Sequence, residues 1–181
     1  MRKEFLTDEE RAFLEEHLTN VIGLFKQAHY ELVNEISNLK RITEYELEIL
    51  NENQFLNNSE FAFMNGCCFY FARIMKTIFP EYTFVIECLK DYKNYPTHIL
   101  LRKGDKFFDI LYDENTKFKY QYYKNHPIKF YRDADDKDLK YARKKFAIID
   151  DEIYGKLKYK FYRNIKVYLN KNYKLKTYIK K

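Results

Sequence analysis

Three residues stand in an order that thiol chemistry can use: Cys68, then His98, then Asp109. Such catalysis needs a cysteine held as thiolate, a histidine to move the proton, and a group that orients the histidine. Asn65-Gly66 is a turn signal, and the run CCFYFARIMKTIF after it predicts a buried helix over 67–79, stopped by Pro80. Cys68 then falls in the first helical turn, with Cys67 beside it. Unpaired backbone N–H groups and the positive end of the helix dipole gather there. Both favour thiolate, and the same N–H groups can stabilise an oxyanion. Gly66 and Asn65 are the expected point of substrate approach, since glycine lets a ligand come close to the backbone.

The histidine and the carboxylate need strands to hold them. Runs at 82–89, 97–102 and 106–112 are rich in β-branched and aromatic residues. Lys103-Gly104-Asp105 marks a hairpin turn between the last two. With Gly104-Asp105 as the two-residue loop, paired numbers sum to 209, and Asp109 lies one diagonal step from His98. With Lys103-Gly104 as the loop, the sum is 207 and the two residues are directly opposed. Either register puts them on one face, roughly 5–8 Å apart between Cα atoms. Ile99, Leu101, Phe108 and Ile110 then point to the other, core-facing side.

Gly66-Cys67-Cys68-Phe69-Tyr70-Phe71-Ala72, Thr97-His98-Ile99-Leu100 and Phe107-Phe108-Asp109-Ile110 together resemble the papain-like and transglutaminase-like superfamily. The resemblance covers about residues 61–112. It selects Cys68 over Cys67, because Cys68 precedes Phe71-Ala72 by three residues. It implies an α+β fold with a papain-like core, a Cys-bearing helix on a small antiparallel sheet, and helical extensions at both ends. It also implies acyl transfer through a thioester: Cys68 as nucleophile, His98 as proton shuttle, Asp109 orienting His98. A protein or peptide substrate follows, with the enzyme acting as a peptidase, deamidase or transglutaminase. No cofactor is implied.

The expected single domain, 1–181, has three parts: an acidic helical stretch 1–58, the helix and sheet at 59–125, and a basic helical stretch 126–181. Thr7 and Glu10 form a capping box that opens a long helical stripe from Leu14 to Leu39, with Gly23 its weak point. Thr43-Glu46 looks like a second capping box, and 118–123 like a further strand. Asp135–Asp138 starts a helix. Ile153, Leu157, Phe161, Ile165 and Leu169 recur every four residues in a long last one.

Residues 1–60 carry 6 Lys/Arg against 13 Asp/Glu, and residues 116–181 carry 20 against 7. The two ends are expected to attract each other. The competing reading is a non-enzymatic binding or inhibitor protein that meets nucleic acid, or a nucleic-acid-handling partner, through 156–181, with Lys158, Lys160, Arg163 and Lys166 on phosphates. A third is a homo-oligomer built on the N-terminal stripe. No run reaches the ~18 apolar residues of a membrane span. No secretory leader is evident either, so a cytoplasmic protein is expected. The cysteines include no CxxC pair, and the histidines do not complement them at zinc spacing, so no metal is expected. Cys88 reads as core. His17, His29 and His126 read as surface or packing residues.

Overall fold

Thr7 caps the first helix as its sequence predicts. Its hydroxyl accepts from the Glu10 N–H at 3.2 Å, and the Glu10 carboxylate accepts from the Thr7 N–H at 3.0 Å. The computed structural model describes residues 5–38, 48, 50, 55–64, 66–90, 95–112, 128–145 and 151–174. The expected capping box at 43–46, the expected strand at 118–123 and His126 lie outside them.

The N-terminal stripe forms two helices, α1 (Asp8–Glu16) and α2 (Leu18–Asn38). The break falls at His17 and not at Gly23. The His17 ring bonds the Phe13 carbonyl at 2.8 Å, while the His17 backbone N–H turns to Leu14. The side chain thus takes the carbonyl that the next helical bond would have used. Gly23 lies within α2, with open space where a Cβ would stand.

Helix α3 (Ser59–Met64) and helix α4 (Cys68–Ile78) follow. The strands are β1 (Thr83–Leu89), β2 (Tyr95–Lys103), β3 (Lys106–Phe108) and β4 (Lys129–Asp133). They form one antiparallel sheet in the order β3-β2-β1-β4. Helices α5 (Asp136–Lys145) and α6 (Asp151–Leu169) come next, followed by a π-helical turn at Asn170–Lys174. The fold is thus mixed helix and antiparallel sheet. Because β4 pairs with β1, the sheet reaches past residue 125, where the expected basic helical part was to have begun.

Alternation along the strands divides the sheet by face. Ile86, Cys88, Ile99, Leu101 and Phe108 join the helices in one apolar core. Phe25 of α2 is at its centre, with ring centroids 4.8 Å from Phe63, 5.0 Å from Phe71 and 5.5 Å from Phe161. These contacts tie α2, α3, α4 and α6 together. They also fix the direction in which α4 delivers its first turn.

Ion pairs join the acidic and basic ends. Lys160 meets Glu35 at 2.6 Å, Arg163 pairs with Glu31, and Lys174 meets Glu10 at 3.5 Å. Lys158 lies over the Tyr162 ring and Lys166 over Phe5. The four cations considered for nucleic acid therefore have neighbours within the chain. Among the described residues, no helix is long and apolar enough to cross a membrane.

Candidate active site

Cys68 is the first residue of α4. Gly66 precedes it with φ 153°, a backbone angle that glycine adopts readily and other residues avoid. Cys67 turns the chain into the helix: its N–H donates to the Ala62 carbonyl, and its own carbonyl accepts from Tyr70 and Phe71. Burial, with the neighbouring Cys68 adding to it, pushes the Cys67 thiol up to about 12. Cys67 is a core thiol. Asn65 lies outside the described residues.

His98 sits on β2, and Nε2 of its ring is 3.2 Å from Oδ2 of Asp109. An ionised carboxylate can only accept, so Nε2 carries the proton of this bond. Nδ1 is then the nitrogen left for proton transfer. It is buried and has no aligned hydrogen-bond partner. Cys68, at the start of α4, lies within electrostatic reach of the ring and raises its proton affinity. Burial alone would lower the basicity of His98. The Cys68 charge and the Asp109 hydrogen bond outweigh it and hold the imidazole well above the usual histidine value.

The hairpin adopts the register whose numbers sum to 209: Leu101 pairs with Phe108, Arg102 with Phe107, and Lys103 with Lys106. Gly104 has φ 58°, as the tight two-residue loop requires. One expectation needs correction. The strand predicted over 106–112 ends at Phe108, so Asp109 is not a ladder residue. Its Oδ1 instead accepts from the Leu111 N–H at 2.8 Å, and its carbonyl accepts from Tyr112. An aspartate that bonds its own chain two residues on makes an Asx turn, which competes with strand extension. The turn leaves Oδ2 for His98.

All three residues are closed off from solvent: Cys68 is 1% exposed, His98 4% and Asp109 7%. A cavity of about 320 Å³ borders the same helix, lined by Phe69, Arg73, Asp136, Leu139, Lys140 and Arg143. Cys68, His98 and Asp109 are not among its lining residues.

Two features escaped sequence reasoning. Glu87, a lone carboxylate within the strand TFVIECL, is buried directly across the ladder from His98. Its signal was its charge at an otherwise apolar stretch. His29 is buried between the Ser59 hydroxyl at 2.9 Å and the Phe55 carbonyl at 2.8 Å. It packs as expected, but as a clamp between α2 and the start of α3. Among the described residues, no three His, Cys, Asp or Glu side chains cluster in a way that could hold a metal ion.

The chain matches no protein-family model, no curated protein and no solved structure.

Proposed function

We propose that the protein is a thiol-dependent hydrolase or acyltransferase, built on a papain-like or transglutaminase-like core. The observation that carries this reading is the Asp109–His98 pair beside Cys68 at a helix start. Nδ1 of His98 holds the proton given up by the Cys68 thiol, and Cys68 Sγ attacks a carbonyl carbon as the thiolate. The tetrahedral oxyanion is stabilised by N–H groups at the start of α4. It collapses to a thioester, and the leaving group departs with the proton from His98. Water or an amine then gives its proton to His98 and attacks the thioester, which frees Cys68. Asp109 holds the ring in one tautomer throughout. Because Cys68 is 1% exposed, substrate reaches it after an opening motion. A protein or peptide is the expected acyl donor.

A small activated ester tests the chemistry without knowledge of the natural substrate. With p-nitrophenyl acetate, the expected result is a burst of p-nitrophenol, an acetyl group mapped to Cys68, and loss of both in Cys68→Ala. An acetyl group elsewhere, or a burst that survives Cys68→Ala, overturns the proposal.

A further inference from the structure

The mechanism above leaves Glu87 unused, yet its buried carboxylate is closely held. In the sheet Glu87 pairs with His98 on β2 and with Tyr131 on β4. Ladder partners share a face, so the three side chains form a row across one side of the sheet. Glu87 is 7% exposed. A carboxylate so deep is costly unless donors surround it. Its oxygens accept from the Thr97 hydroxyl at 2.8 Å and the Tyr131 hydroxyl at 2.7 Å, and they face the Lys129 ammonium at 2.9 Å. Burial opposes ionisation, but these donors and the positive His98 ring hold the carboxyl below its ordinary range.

The ladder also shifts at this point. Glu87 pairs with His98, while Cys88 pairs with Pro96, so Thr97 is the extra residue of a β-bulge. Bulges re-aim side chains next to active sites. The Thr97 hydroxyl also lies 3.2 Å from the Glu87 carbonyl. One residue therefore holds the bulge closed and faces the imidazole next to it.

We propose that Glu87 is a positioning residue for His98: it fixes the bulge that aims the ring and sets a second negative charge beside it. The role in acyl transfer rests on the thiol reading of the site. Other charged or titratable groups around the ring are Cys68 on α4, Asp109 beyond β3, and Tyr131 and Lys129 on β4. Arg132 of β4 and Asp138 of α5 are paired with each other at 2.6 Å.

NMR titration of His98 in the full chain tests this directly. Glu87→Gln keeps the shape and removes the charge. The expected result is a fall of about tenfold in the protonation constant of His98. Asp105→Asn, an exposed change in the hairpin loop, is the control and leaves it unaltered. Lys129→Met removes the opposing cation and is expected to raise the constant, which gives a second arm if Glu87→Gln does not fold. An unchanged His98 titration in the folded variants overturns the proposal. The p-nitrophenyl acetate burst is read in parallel. In Glu87→Gln its rate should fall and its pH profile should move with His98. If the native chain shows no burst, the thiol reading fails, while the NMR result still decides the role of Glu87.

Discussion

Asp109 divides its carboxylate between two tasks: Oδ1 holds the Leu111 N–H at 2.8 Å, and Oδ2 meets His98 Nε2 at 3.2 Å. Orientation of the ring thus depends on a turn as well as on a charge. Asp109→Asn keeps a side-chain acceptor for the turn but removes the charge that supports the imidazolium. Acylation by p-nitrophenyl acetate is expected to slow by about 100-fold or more, with the folded far-UV spectrum retained. Full activity in this variant would remove Asp109 from the mechanism.

The two adjacent cysteines are expected to behave differently toward alkylation. Burial pushes the Cys67 thiol up to about 12. Mass spectrometry after iodoacetamide should find the adduct on Cys68, formed at a rate that His98→Ala reduces. An adduct on Cys67 formed as fast as on Cys68 would contradict the assignment.

His29 predicts a pH dependence of stability. Burial, opposed by the Phe55 carbonyl, holds it at about 4 against 6.5 in the unfolded chain. Below pH 6.5 the unfolded state takes up a proton that the folded state refuses until about pH 4. Stability is therefore full above 6.5 and falls with pH through that window, by roughly 3 kcal/mol at its lower end. Urea denaturation at pH 7 and pH 4.5 measures it. His29→Gln should lose stability at both values but show a shallower slope between them. Equal slopes would mean that other groups cause the acid sensitivity.

Phe25 touches rings from three different helices. Phe25→Ala is expected to cost about 3–5 kcal/mol, the transfer loss plus the cavity left behind. Denaturant unfolding checks the figure. A loss under 1 kcal/mol would mean that the surrounding rings collapse into the space.

Local chemistry made much of this structure readable. The Thr7 cap, the helix after Gly66, the stop near Pro80 and a hairpin turn within Lys103-Gly104-Asp105 all rest on contacts within a few residues, which composition and spacing report directly. Composition leaves open which two of those three residues form the loop, and the ladder selects Gly104-Asp105. The order of Cys68, His98 and Asp109 was visible as well, since either two-residue loop puts the last two on one face. The unread features have two physical origins. Some are local competitions whose winner is not marked, such as the His17 ring against its own backbone N–H, or the Asp109 turn against strand extension. Others are distant pairings. Nothing near Glu87 announces Tyr131 or Lys129, and β4 joins the sheet some forty residues after β1.

The pairing of α2 with α6 has a consequence for synthesis. Glu31 and its partner Arg163 are 132 residues apart. At ribosomal speeds that separation lasts on the order of ten seconds. Throughout that interval the apolar side of α2, Phe25 included, has no Phe161 to meet. The nascent chain must wait with the α6-facing part of this surface uncovered, and α6 is the helix that closes it.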